Sequence, residues 1–286
     1  MSTQAELVTV LQTEVERLQQ YLAALPQDAW TKPSACPLWD IRDVVAHLTM
    51  GIDGFTLRIT RGLQGDTSPP EGLPSPHIWK TLSQEERRQR ALRLAQGPIA
   101  LRERLGNDLL SGFSHAWDQF HHLLATLTAQ DWHQPCYQGR GIIPVHSLAH
   151  AGIFELAIHG WDIRSALEPS APLAPDVLAA ILDFFAACPH WFFLPAARLS
   201  TPIRYRFAFT GALSGQWDVV VEGDQAHIGP AADATPANAT FACEVETFVL
   251  MMCGRIGFDA ALGDKRLIPT GDIAVAQGFK KWFQGV

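Results

Sequence analysis

Gly152–Leu167 reads GIFELAIHGWDIRSAL, and the reading of the fold starts here. It sits inside Val145–Leu167, a stretch with Pro144 before it, Pro169 after it and no proline between. On a helix, residues three and four apart share a face, so Gly152, Glu155, His159, Asp162 and Ala166 form one row. A carboxylate and an imidazole one turn apart can hold one divalent ion, and the small neighbours leave room for it. Helical bundles build core metal sites with this spacing. By spacing alone, such a pair is more often a surface ion pair.

Further amphipathic segments precede this helix. Thr3–Leu25 repeats Leu7, Val10, Leu11, Val15, Leu18 and Leu22 at helical spacing and stops at Pro26. A second helix starts at Asp40, a plausible N-cap with Asp43 three residues on, and carries Ile41, Val44, Val45, Leu48, Ile52 and Phe55 to about Gly62. Gln64–Pro76 holds four prolines and reads as a crossover loop. A third helix is expected from near Ser83, split by Gly97-Pro98, with its second piece over Asp108–Thr128. Residues 1–170 therefore predict a four-helix bundle.

Residues 171–198 read as a helical connector, with a helix over Pro175–Ala187. The period then changes. Ile203, Tyr205, Phe207 and Phe209 alternate with Arg204, Arg206 and Ala208, which is a strand with one wet face. Trp217–Glu222 and Gln225–Ile228 flank a Gly223-Asp224 turn, and Ala239–Cys243 is a further strand. Glu244–Cys253 and Asp272–Phe283 read as helices. Residues 199–286 thus predict a small α+β domain, and the whole chain is of the α+β class.

Composition narrows the function. The chain has 286 residues with 22 Lys+Arg against 29 Asp+Glu, a net charge of −7, which disfavours nucleic acid as a partner. Hydrophobic residues make up 47% and charged ones 18%, enough apolar side chain for a real core. Glu6, Glu14, Glu16 and Arg17 interrupt the first residues, so no signal peptide is read there, and the most apolar run, Leu182–Ala197, is broken by Asp183, Pro189 and His190. Five scattered cysteines without a CxxC pair fit a reducing compartment. The expectation is a cytoplasmic protein with no membrane partner. The oligomeric state is not read from the sequence.

Three histidine sets compete for the chemistry. His47 lies on the shoulder of its helix's apolar stripe and could face a neighbouring helix. With Glu155 and His159 it would make three ligands and leave one position open, the arrangement of a catalytic zinc. His115, Asp118, His121 and His122 form a rival cluster, and His146 with His150 a third pair. Periodicity does not rank them. Cys36 precedes the second helix and reads as a small buried turn residue rather than a reactive thiol. No GxGxxG after a strand, no phosphate-binding GxxxxGK[ST] and no GxSxG occur.

Two stretches break the tie. SACPLWDIRDVVAHL (Ser34–Leu48) resembles the N-terminal signature of the mycothiol-dependent maleylpyruvate isomerase family, a branch of the DinB-like metalloproteins, and places the family's histidine on His47. FELAIHGWDIRSAL resembles its second signature, a Glu-x3-His followed closely by Asp, and places the ligands on Glu155 and His159 with Asp162 trailing. Residues 247–283 resemble the family's small C-terminal domain, which is similar to sterol-carrier proteins. One departure is Gly152, where members often carry arginine.

The resemblance implies a bundle-bound divalent ion, Zn²⁺ foremost, and a low-molecular-weight thiol such as mycothiol. It implies attack of the thiol on a small-molecule electrophile, with cis-trans isomerisation or S-transfer as the outcome. It also places the family's catalytic arginine on Arg255, for a substrate carboxylate or a developing oxyanion. Asp162 is expected to orient a ligand histidine. The alternatives are a metal enzyme of the same fold that uses water or another nucleophile, and a non-catalytic small-molecule carrier.

Overall fold

A computed structural model describes residues 3–73, 75, 84–194, 199–232 and 235–283. The chain divides after residue 171 into two compact units.

The first unit opens with α1 (Gln4–Ala24). Thr3 and Glu6 close a reciprocal capping box at its start, and Leu7, Leu11, Leu18 and Leu22 are buried along one face. Helix α2 (Ile41–Leu63) begins at the N-cap expected at Asp40, and Asp43 closes a second such box with it. The third segment is divided. Helix α3 (Gln84–Leu94) and helix α4 (Gln96–Leu105) meet at Ala95. Pro98 has no N–H for the Leu94 carbonyl, so the helix breaks there and Pro98 falls in the first turn of α4, where proline is tolerated. Pro74, Pro76 and Ser83 lie outside the described residues.

Helix α5 (Leu109–Thr126) and helix α6 (Val145–Leu167) complete the bundle. Helix α2 is its centre and packs on α4, α5 and α6, while α1 packs on α5 and α6. A two-stranded hairpin for which the sequence carries no clear signal, β1 (Pro135–Gln138) and β2 (Gly141–Pro144), leads directly into α6.

The second unit includes helix α7 (Pro175–Ala187), with proline at its first position. Its sheet is formed by β3 (Ile203–Thr210), β4 (Gly215–Glu222), β5 (Gln225–Pro230) and β6 (Ala239–Glu244). Helices α8 (Val245–Met252) and α9 (Phe258–Gly263) follow, then β7 (Leu267–Gly271) and α10 (Ile273–Gly278). The strand order is β5-β4-β3-β6-β7, with β3 and β6 parallel and the other neighbours antiparallel. Glu222 pairs with Gln225 across the Gly223-Asp224 turn, where Gly223 takes φ 60°. The helix expected over Asp272–Phe283 is shorter: α10 stops at Gly278 and a 3-10 turn takes over. Strand β7 and α9 are elements the sequence reading did not contain. Pro269 obscures β7, and proline is tolerated there because β7 is an edge strand.

One face of this sheet buries Tyr205, Phe207 and Phe241 against Phe248 and Phe279, with ring centroids 4.5–6.3 Å apart. On the other face Arg204 and Arg206 both pair with the buried Asp218 of β4. Among the described residues no helix is long and apolar enough to cross a membrane.

Candidate metal centre

The segment before α2 is a closed turn. Pro33 bridges Asp40, the Trp39 N–H donates to the Cys36 carbonyl, and the Ala35 N–H donates to the Asp162 carbonyl at 3.0 Å. That last bond fastens the turn to α6. It sets Cys36 against the row of α6 side chains and aligns the first turns of α2, so that His47 faces α6 across the bundle.

The three side chains converge. Glu155 Oε2 lies 3.3 Å from His47 Nε2 and 3.3 Å from His159 Nε2, and the three ligand atoms all lie within 4.8 Å of one another. These two separations are long for charge-assisted hydrogen bonds, which run at about 2.7–2.9 Å. They equal the edge of a tetrahedron about a zinc ion, about 3.3–3.4 Å for ligand distances of 2.0–2.1 Å. Two imidazoles and a carboxylate are borderline-soft and hard donors suited to such an ion. The donor set therefore fits a divalent metal.

Asp162 stands behind the cluster. It is fully buried, and its Oδ2 lies 2.9 Å from His159 Nδ1 and 2.9 Å from Cys36 Sγ. Accepting a hydrogen bond from Nδ1–H fixes the ring's orientation and leaves Nε2 directed toward Glu155 and His47, as the nitrogen that a metal would claim. Trp39 covers the other side, with its ring centroid 4.8 Å from that of His47.

Charge is distributed unevenly. Burial opposes a charge on His159, but Asp162, Cys36 and Glu155 hold its pKa well above the ordinary histidine value. Burial and the neighbouring His159 push His47 down. Burial would raise Glu155, yet the two imidazoles keep its carboxyl well below the usual range. Burial pushes the Cys36 thiol up despite His159, so Cys36 is a proton donor to Asp162.

The rival sets do not converge among the described residues. His115 is exposed and bonded to Gln119, and Asp118 and His122 are exposed. His146 and His150 sit with ring centroids 6.4 Å apart, and His150 Nδ1 is bonded to the His146 carbonyl. Arg255 belongs to the other unit. It follows Gly254, which takes φ 71°, and its Nη1 donates to the Cys253 carbonyl at 2.8 Å.

Beside the triad a cavity of about 610 Å³ opens within the helical unit, with His47 and Glu155 in its wall. Arg58, Trp117, Tyr137 and Arg140 also line it. None of these was singled out from the sequence. A signal was present in α2: His47, Gly51, Gly54 and Arg58 fall at i, i+4, i+7 and i+11, one row with its middle left bare.

Comparison with known proteins agrees with this architecture. The model of the mycothiol maleylpyruvate isomerase N-terminal domain matches residues 11–164, and that of the SCP-2 sterol transfer family matches residues 200–284. A crystal structure of the mycothiol-dependent maleylpyruvate isomerase superimposes with a TM-score of 0.57 at 12% identity, covering 94% of this chain and 93% of that one. A crystal structure of a histidine-to-alanine mutant of that isomerase gives 0.57 at 11% identity with the same coverage. No curated protein matches the sequence. The first match spans more than half of the chain, and the chain belongs to the mycothiol maleylpyruvate isomerase N-terminal domain family, here followed by an SCP-2-like domain.

Proposed function

We propose that the protein is a divalent-metal-dependent enzyme that activates a low-molecular-weight thiol, mycothiol or a chemical relative, for attack on a small electrophile. The outcome is cis-trans isomerisation or S-transfer. The observation that carries the reading is the His47–Glu155–His159 triad, with both separations from Glu155 at a tetrahedral edge and with His47 and Glu155 in the wall of a cavity. Family membership and the likeness to the mycothiol-dependent isomerase over both units support it.

A bound divalent ion would supply the charge that keeps a thiol deprotonated near neutral pH, where a free thiol is mostly protonated. The chain's own residues do the rest. His47, Glu155 and His159 would hold the ion and leave one position for the thiol. Asp162 keeps the Nδ1 proton on His159, so the imidazole presents Nε2 throughout. Trp39 packs against the His47 ring and narrows the angles that imidazole can take. Arg255 is assigned to a substrate carboxylate or a developing oxyanion, the role its planar fork suits.

The test is metal content of protein purified without added metal or chelator, wild type beside His47→Ala/His159→Ala. About one ion per chain, lost in the double variant, supports the reading, and thiol-dependent turnover of cis-enones then separates it from a water-using enzyme. Wild type that neither carries nor takes up an ion overturns it.

A further inference from the structure

The cavity beside the triad has a chemistry of its own. In a chain of net charge −7, four arginines line it, Arg58, Arg90, Arg93 and Arg140, against a single carboxylate. That carboxylate is Glu155, a metal-ligand candidate. Arg58 is the telling residue. It is half-buried, and among the described residues no carboxylate pairs with it. Its guanidinium lies 5.5 Å from the Phe55 ring centre and 5.8 Å from that of Tyr137, and its Nε is buried without a hydrogen-bond partner. Withdrawing a cation from water without an anion is costly, and such a group persists where something else will pair with it.

The group that would answer Arg58 from the cavity is therefore an acceptor carrying negative charge. Trp117 adds its ring to the same wall. Along α2 the wall is apolar, with Leu48, Ile52 and Phe55 beside the row Gly51–Gly54. A Cβ at Gly51 would meet nothing within 4 Å, so the cavity is open along that row. Its volume lies in the range of pockets that enclose drug-sized ligands.

We infer that the cavity takes an amphipathic organic carboxylate, its head on Arg58 and its apolar body along Gly51 and Ile52, toward His47 and Glu155. The inference names the substrate class of the site proposed above and rests on that reading for turnover, but not for binding. It departs from a short polar dianion, for which an apolar wall of this extent has no use.

The experiment is calorimetric binding of hexanoate, octanoate and decanoate, each beside its neutral amide, to the full chain. Protein as purified and protein treated with chelator are both titrated, with no thiol present. Each added methylene should tighten binding about fourfold, and each acid should bind at least about tenfold tighter than its amide, as a charge-assisted bond to a half-buried guanidinium requires. Arg58→Met should erase the acid–amide gap, with Arg58→Lys keeping part of it. Gly51→Leu, which fills the bare row and favours the helix, should flatten the chain-length dependence. Equal binding of acids and amides to wild type overturns the inference, as does no binding by any member of the series or a gap that survives in Arg58→Met. Failure here leaves the metal and thiol reading standing, and loss of metal in the triad variants leaves this one standing.

Discussion

Asp162 and His159 are joined through the nitrogen that faces away from the triad: Oδ2 meets Nδ1 at 2.9 Å, inside a site where the carboxylate has no solvent exposure. The bond decides which nitrogen is left for a metal. Replacing Asp162 by Asn keeps the shape, but one carbonyl oxygen must then serve both His159 and Cys36, and the amide N–H can oppose either. Affinity for Zn²⁺ should fall about 10–100-fold. Competition with a chromophoric chelator reads this directly. An unchanged affinity in a variant that melts like wild type would remove Asp162 from the site.

Metal uptake should release a proton. His159 is held above the ordinary histidine value, so near neutral pH it carries protons on both nitrogens, whereas His47, shifted down, is already neutral. Only the neutral imidazole ligates. Zn²⁺ binding at pH 7 should therefore release about one proton, and apparent affinity should rise with pH until His159 has titrated, then level off. Calorimetry in buffers of different ionisation enthalpy measures the count. Heat independent of the buffer would contradict the assignment, and Asp162→Asn should lower the count because it lowers the His159 pKa.

What the sequence made legible follows from how local each signal is. Val145–Leu167 and Pro175–Ala187 are readable to the residue because proline and apolar period mark both ends. Glu155 and His159 share a row by helical geometry alone. His47 is a different matter: its partners lie more than a hundred residues away, and by periodicity alone three histidine sets have equal claims, which only the likeness of Ser34–Leu48 and Phe154–Leu167 to a known family separates before α2 is set against α6. The β1–β2 hairpin escapes because four-residue strands carry too little alternation to register. Arg58 escapes because a charge on a helix is ordinarily a solvated one, and its burial depends on Tyr137, which that unseen hairpin supplies.

Leu38 carries backbone strain beside the site. It takes φ 77° with Pro37 before it, in a turn closed by the Trp39 N–H on the Cys36 carbonyl, the pattern of a type II turn that favours glycine at this position. Its side chain is 66% exposed, so little burial is lost on removal. The left-handed region costs a non-glycine residue about 1–2 kcal/mol, and the extra freedom of glycine in the unfolded chain returns about 0.5–1 kcal/mol of that. Leu38→Gly should therefore raise Tm by about 2 °C with metal content unchanged. A lower Tm would mean that the leucine makes contacts that outweigh the strain.

Gly62 is the opposite case, a glycine that nothing in the backbone angles demands. It ends α2 against β1, and a Cβ there would stand 2.5 Å from Cys136 Sγ and 2.6 Å from the Pro135 carbonyl oxygen. Helix propensity favours Gly62→Ala by about 1 kcal/mol, while overpacking of this kind costs about 1–3 kcal/mol. The overlap with a carbonyl of a paired strand cannot be relieved by a rotamer, so the cost wins and the urea midpoint should fall. Adding Cys136→Ala removes the sulfur but not the carbonyl, and should restore only part of the loss. Full rescue would show that the strand yields, and a midpoint above wild type would show that α2 and the hairpin do not meet as closely as described. Because the same hairpin carries Tyr137 against Arg58, Gly62→Ala should also weaken carboxylate binding in the cavity while leaving Zn²⁺ affinity at the triad intact, which separates a displaced wall from a general loss of fold.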